Sequence, residues 1–110
     1  MDLDTVFSEA NQITVYRIVQ ESLTNIAKHA QATHVSISIR EQDGHVWFRI
    51  EDDGKGFDVK KCLDKSATEK GLGLAAMYER VRMLGGSLDI WSQETAGTKI
   101  TFAVPLELGG

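Results

Sequence analysis

Apolar residues recur at three- and four-residue intervals near the start of the chain, as they do on the buried face of an α-helix. This repeat predicts a helix over residues 8–30, with Ser8 as its N-cap, because a serine hydroxyl accepts a hydrogen bond from a free amide of the first turn. The buried stripe is predicted to contain Val15, Ile18, Val19, Ser22, Leu23, Ile26 and Ala30.

The same helix carries a second, polar face. Glu21, Asn25 and Lys28 fall within about 60° of one another on a helical projection, with His29 at the edge of that arc. Asparagine is a poor former of helix interiors, so a reason other than helix propensity is needed for Asn25. Oxygen atoms of Glu21 and Asn25 suit Mg²⁺, and Lys28 and His29 suit anionic oxygens. The alternative is an ordinary solvated helix face.

Alternation of apolar and polar residues predicts two β-hairpins whose sheet has one buried face. Asp43-Gly44 and Ala96-Gly97 are the predicted turns. The paired strands are residues 35–39 with 46–50, and residues 88–90 with 100–104.

A second amphipathic helix is predicted over residues 72–84, and Gly85-Gly86 ends it. Residues 53–70 have no sustained period and are predicted to form a long loop. The order of helix, hairpin, helix and hairpin predicts an α+β fold in which both helices cover one face of a sheet.

Composition narrows the class of protein. A length of 110 residues suits one domain, and 42% hydrophobic with 25% charged residues is typical of globular chains. A net charge of -4 gives no basic surface for a nucleic-acid backbone, so we expect no nucleic-acid partner. Cys62 is the only cysteine, and no segment has the pattern of a signal peptide or membrane span. We expect a cytoplasmic location and no direct membrane contact from this segment.

Three further stretches could carry chemistry. Asp52 ends a buried strand, and Gly54 and Gly56 let the following backbone turn sharply and approach a ligand; an acidic turn is the alternative. Residues 71–74 open the second helix, and the free amides of its first turn could cradle phosphate. The alternatives are a partial match to a dinucleotide-binding fingerprint and a simple helix start. The hydroxyl of Thr98 can donate and accept, which suits a purine edge or a carboxylate.

Together, "YRIVQESLTNIAKHA", "DDGKGF", "KGLGL" and "GTKITFAVP" resemble the ATP-binding domain of sensor histidine kinases, and more narrowly the nitrate-sensor type. The resemblance covers residues 15–105. It implies the Bergerat fold, a two-layer sandwich of a mixed, mainly antiparallel β-sheet with helices on one face. ATP would lie beneath a lid formed by residues 53–70.

The resemblance also implies roles for the residues at the phosphate end of that site. Asn25 would ligate Mg²⁺, and Glu21 would act in catalysis by holding a metal-bound water or assisting proton transfer. Lys28 and His29 would reach phosphate or ribose oxygens. The residues that would close over the phosphates are Gly71, Leu72, Gly73 and Leu74.

At the other end of the site, Asp52 would accept a hydrogen bond from the adenine amino group, and Thr98 would support it directly or through water. Gly54 and Gly56 would shape the lower wall. Relatives often have a histidine where this chain has Lys70, which makes the lid contacts the least typical part of the pattern.

By this resemblance, residues 1–110 are a single ATP-binding catalytic domain and a C-terminal fragment of a longer kinase. The phosphoacceptor histidine would lie on a separate helical dimerisation domain of that parent, and the phosphoryl group would pass to a response regulator. None of His29, His34 and His45 has the setting of an acceptor, so we expect no histidine phosphorylation by this chain alone. The alternatives are a serine kinase regulator similar to anti-sigma factors, and a small dinucleotide-binding oxidoreductase subunit.

Overall fold

A computed structural model describes residues 7–57 and 74–106. Within them, two α-helices and a π-helical turn accompany four strands. None of the helices in these two ranges is long and apolar enough to cross a membrane. The elements are α1 (Glu9–Asn25), the π turn (Ile26–Ala30), β1 (Val35–Gln42), β2 (His45–Asp52), α2 (Leu74–Met83), β3 (Ser87–Gln93) and β4 (Gly97–Pro105).

Helix α1 starts where the sequence predicts. The side chain of Ser8 accepts a hydrogen bond from the amide of Asn11 at 3.2 Å, which is the predicted N-cap. The last turn of the predicted helix is π-helical instead of α-helical, and Gln31 ends it with a left-handed φ of 53°.

The four strands form one sheet in the order β1-β2-β4-β3, and each neighbouring pair within the described residues is antiparallel. Buried residues of α1 and α2 join the strands in one apolar core. At its centre, Phe48 of β2 and Phe102 of β4 are cross-strand partners whose rings stack at 4.5 Å. The α+β fold with helices packed on a sheet, predicted from the order of elements, is confirmed.

Strand β1 departs from the prediction of one buried face. Its residues Val35, Ile37 and Ile39 remain 45% exposed, and every residue of the strand is exposed. Ile37 pairs with buried Ile50, so these side chains lie on the helix-covered side of the sheet. They stay accessible because the described apolar core includes residues of β2, β3 and β4 but none of β1.

Candidate functional site

The helix-covered face of the sheet changes from apolar to polar at one end. Ile50 of β2, Ile100 of β4 and Ile90 of β3 form one row of cross-strand neighbours. The next row toward this end is Asp52, Thr98 and Ser92. Successive side chains of a strand point to opposite faces, so residues two positions apart lie on the same face. The polar row is therefore two residues from the apolar row along each strand.

A cavity of about 200 Å³ opens beside this row. The sheet and the turn after β2 form one side, and the end of α1 with the π turn forms the other. Asp52 and Asn25, the residues predicted for the two ends of a nucleotide, therefore share one cavity. The lining residues are Ser22, Asn25, Ile26, His29, Ala30, Asp52, Lys55, Gly56, Phe57, Leu74, Thr98 and Ile100.

The two carboxylate oxygens of Asp52 have different surroundings. Oδ1 accepts a hydrogen bond at 2.7 Å from the backbone amide of Gly54, which ties the side chain to the turn that follows. Oδ2 is buried and accepts no hydrogen bond from any described residue. A buried acceptor without a donor is costly, so such an atom beside a cavity is suited to a ligand that donates a hydrogen bond.

Thr98 belongs to a small hydroxyl network behind the cavity wall. Its Oγ1 lies 2.8 Å from Oγ of Ser92, and either hydroxyl can be the donor. Ser92 also accepts from the amide of Phe57 at 2.9 Å and can donate to the carbonyl of Gly97 at 3.0 Å. Because Thr98 is buried and held in this way, its hydroxyl has a restricted direction at the cavity.

The π turn presents one of its two basic residues, His29, to the cavity. Its hydrogen bonds run from i to i+5, so it holds more residues per turn than an α-helix. His29 lies four positions after Asn25, which is close to one full turn in an α-helix as well as in a π turn, so it returns to the direction of Asn25. His29 lines the cavity, whereas Lys28 is exposed and does not.

Two glycines allow the turn after β2 to fit between neighbouring segments. A Cβ at Gly54 would overlap the carbonyl oxygen of Ala30. Gly56 has a φ of 65°, and a Cβ there would overlap the carbonyl oxygen of Gln93. The amide of Lys55 donates to Ala30 at 2.7 Å, so the turn is bonded to the end of the π turn as well as packed on it.

The donor set at the helix side is compatible with Mg²⁺ bound in part by a phosphate-bearing ligand. Asn25 is 9% exposed and lines the cavity, and its amide oxygen is a ligand type that Mg²⁺ accepts. The residues in the described ranges contain no cluster of three or more acidic, histidine or cysteine side chains that could hold a metal by themselves. Mg²⁺ usually keeps several waters and takes few protein oxygens together with substrate phosphates, so one amide oxygen would serve as its protein ligand beside a triphosphate.

Six of the residues predicted for the site lie at the cavity, namely Asn25, His29, Asp52, Gly56, Leu74 and Thr98. Gly54 packs against Ala30 beneath it. Glu21 and Lys28 lie on the helix without lining it. Gly71, Leu72, Gly73 and the predicted loop beyond residue 57 fall outside the described residues. The roles given to all of these residues stay predictions.

Apart from core residues that also line the cavity, three residues of this region were not predicted from the sequence as part of the site. Lys55 and Phe57 line the cavity and lie within the "DDGKGF" stretch itself, so their closeness to Asp52 could have suggested them. Ser92 had no such signal. Its contact with Thr98 depends on the register of the second hairpin, in which Gln93 pairs with Gly97.

Comparison with known proteins agrees with this arrangement. The family described as histidine kinase-, DNA gyrase B-, and HSP90-like ATPase matches residues 10–108. The signal transduction histidine-protein kinase/phosphatase DegS of Brevibacillus brevis is 41% identical over 100 residues, which is 91% of this chain and 25% of that protein. The kinase/phosphatase UhpB of Salmonella typhimurium is 39% identical over 102 residues, covering 93% of this chain and 19% of that protein. The chain thus spans a quarter or less of the length of these relatives.

Solved structures show the same fold. The histidine kinase domain of a blue-light activated histidine kinase from Erythrobacter litoralis superposes with a TM-score of 0.67 at 28% identity, covering 84% of this chain and 43% of that chain. The ATP binding domain of PrrB from Mycobacterium tuberculosis has a TM-score of 0.69 at 23% identity, covering 86% and 68%. The predicted resemblance to the ATP-binding domain of sensor histidine kinases is confirmed, and this chain belongs to the histidine kinase-, DNA gyrase B- and HSP90-like ATPases.

Proposed function

We propose that this chain binds Mg²⁺-ATP in the cavity between Asp52 and Asn25. Within a longer kinase it would supply the γ-phosphoryl group for phosphorylation of a histidine on another domain. The observation that carries the proposal is the buried Oδ2 of Asp52, which accepts no hydrogen bond from the described residues, in a cavity that also contains Asn25.

Adenine fits the Asp52 end by its pattern of donors. Its exocyclic amino group donates a hydrogen bond to Oδ2, while the apolar side chains of Ile100 and Phe57 line the same cavity. Guanine has a carbonyl oxygen at the corresponding position, which would face the carboxylate. A site with a buried acceptor rejects a ligand that cannot donate, so ATP is expected to bind more tightly than GTP.

The phosphate end is assigned to the helix side of the cavity. Asn25 would hold Mg²⁺, which supplies charge neutralisation for the triphosphate when bound. His29 reaches the cavity and is placed for phosphate or ribose oxygens, and Lys28 would act from outside the lining. Glu21, one helical turn before Asn25, would orient a water or take a proton. Phosphoryl transfer of this type depends mainly on positioning and electrostatic stabilisation.

The acceptor histidine is proposed to come from another part of the parent kinase. Within the described residues, His29 lines the nucleotide cavity, His34 contacts Asp53, and the ring of His45 contacts the carbonyl of Asp43 at 3.0 Å. The proposed partners are therefore the helical dimerisation and phosphoacceptor domain of the parent and, indirectly, a response regulator. The location proposed for this domain is the cytoplasm.

Thermal melting of the 110-residue chain with ATP, GTP or NADH, each with and without MgCl₂, tests the proposal. Ligand at about 100 times its Kd should stabilise the chain by roughly 2.7 kcal/mol, which raises the Tm by several degrees for a domain of this size. We expect ATP with MgCl₂ to give the largest shift and NADH none. A shift with NADH alone would instead support a dinucleotide-binding oxidoreductase subunit.

A further inference from the structure

Asp53 follows Asp52 directly, but its side chain points to a different part of the molecule. Its Oδ1 accepts two backbone hydrogen bonds at 2.9 Å, one from the amide of Thr33 and one from the amide of His34. Its Oδ2 accepts from the hydroxyl of Thr33 at 2.7 Å and lies 3.2 Å from Nδ1 of His34. We call Asp53 with Thr33 and His34 the Asp53 clamp.

The clamp joins two segments that are far apart in sequence. Residues 31–34 connect the π turn to β1, whereas Asp53 starts the turn after β2. Two backbone bonds support the same junction, from the amide of Asp53 to His34 at 3.3 Å and from the amide of Lys55 to Ala30 at 2.7 Å. Among the described polar contacts at this junction, more therefore involve the carboxylate of Asp53 than the backbone alone.

The carboxylate is held in its ionised form. The hydroxyl of Thr33, followed by the amide of His34, lowers the pKa of Asp53 far below the usual value for an aspartate. An ionised carboxylate accepts in several directions at once, which matches the donors from two consecutive residues. The clamp is exposed, with the side chain of Asp53 47% accessible, and no atom of it lines the nucleotide cavity.

The junction lies between the two ends of that cavity. Asp52 is kept in place by its pairing with Thr98 and by the amide of Gly54, so the adenine end has its own supports. His29 is in the π turn, and residues 31–34 are the continuation of that turn. A change in the clamp should therefore move the helix end relative to Asp52, whose pairing with Thr98 does not involve the clamp.

We propose that Asp53 is a positioning residue, which sets the distance between the adenine end and the phosphate end of the nucleotide site. This inference rests on the proposed function. The effect of losing Asp53 on binding should therefore depend on the length of the ligand. ATP spans both ends and depends on their spacing, whereas adenosine has no phosphates and depends mainly on the adenine end. In catalysis a misplacement of about 1 Å can lower the rate about 100-fold, and we expect ATP affinity to depend on the spacing of the two ends in the same direction.

Isothermal titration of the whole chain with ATP plus MgCl₂ and with adenosine tests the proposal. In Asp53→Ala we expect the Kd for ATP to rise about 10-fold or more, with the Kd for adenosine within about 2-fold of the wild-type value. Asp53→Asn should restore ATP binding, because its amide oxygen can accept from both backbone amides and its NH₂ can donate to Thr33. Glu41→Ala, which removes an exposed carboxylate from β1, is the matched control and should change neither Kd.

Equal losses for ATP and adenosine in Asp53→Ala would overturn the proposal, because they would indicate general damage to the site. It would also fail if Asp53→Asn bound ATP as weakly as Asp53→Ala. If Asp53→Ala does not fold, Thr33→Ala serves instead, since it removes one hydrogen bond and should weaken ATP but not adenosine. A wild-type chain that binds neither ligand would contradict the proposed function, an outcome distinct from equal losses in a variant.

Discussion

Replacing Asp52 by asparagine should raise the stability of the free chain and weaken its binding of ATP. In the wild-type chain Oδ1 accepts from the amide of Gly54 at 2.7 Å, and Oδ2 is buried without a hydrogen bond from the described residues. In Asp52→Asn the amide oxygen can keep the bond to Gly54, and the NH₂ group takes the position of Oδ2. The change thus removes a buried charge and turns an acceptor into a donor.

The two magnitudes follow from these contacts. A buried, unsatisfied polar group costs about 1–3 kcal/mol and more when it is charged. The new NH₂ group is also left without a partner, so the gain comes only from the lost charge, and we take it as about 1 kcal/mol because the adjacent cavity of about 200 Å³ has room for water. A gain of about 1 kcal/mol raises the Tm of a domain of this size by roughly 4 °C. Losing the hydrogen bond from adenine to a charged acceptor costs about 1.5–3 kcal/mol, which weakens ATP binding about 10- to 100-fold.

Differential scanning fluorimetry with and without nucleotide measures both effects on one sample. We expect the Tm of free Asp52→Asn to exceed that of the wild type, with a smaller shift on adding ATP and a larger one on adding GTP, whose carbonyl can accept from the new NH₂. Asp89→Asn, an exposed substitution on β3, should change neither quantity. A lower Tm for free Asp52→Asn, together with a larger Tm shift for ATP than for GTP, would contradict this prediction.

Three other predictions concern Asn25, Phe102 and Tyr78. Asn25→Ala should remove the MgCl₂ dependence of the ATP-induced Tm shift, and an unchanged dependence would contradict the metal role. Phe102→Ala should cost about 3–5 kcal/mol in urea unfolding, because Phe102 is fully buried against Phe48, and a loss below about 1 kcal/mol would contradict that packing. Burial, followed by the charge of Asp89, raises the pKa of Tyr78, so the folded state favours the neutral phenol. The contribution of Tyr78 to the free energy of unfolding is therefore fully present below the ordinary pKa of 10.0, and it is lost as the pH rises through the raised pKa. Tyr78→Phe should lose less stability than the wild type over that alkaline range in urea titrations.

Much of the fold could be predicted from local patterns. The three- and four-residue repeat located α1 and α2, and the alternation around Asp43-Gly44 located the first hairpin. These features depend on near neighbours in the chain, because helix and strand periods and turn angles are local properties. The positions of Asp52 at a strand end and Asn25 on a polar helix face were predictable for the same reason.

Tertiary structure decided how these parts meet. The packed chain brings His29 to the cavity and leaves Lys28 exposed, whereas the helical projection had placed both on the same polar side as Asn25. Within the described ranges, the apolar core includes residues of β2, β3 and β4 but none of β1, and alternation alone cannot distinguish an exposed strand from a covered one. Pairings such as Asp53 with Thr33 join residues 20 positions apart.

The sequence by itself determined the elements, their order and the motifs that identify the family. The cavity, the hydroxyl network behind Thr98 and the Asp53 clamp depended on the packed chain. The physical reason is the distance along the chain over which each kind of interaction acts. Helix and strand periods are set by neighbouring residues, whereas the register between segments is set by hydrogen bonds and close packing that exist only once the sheet and helices have come together.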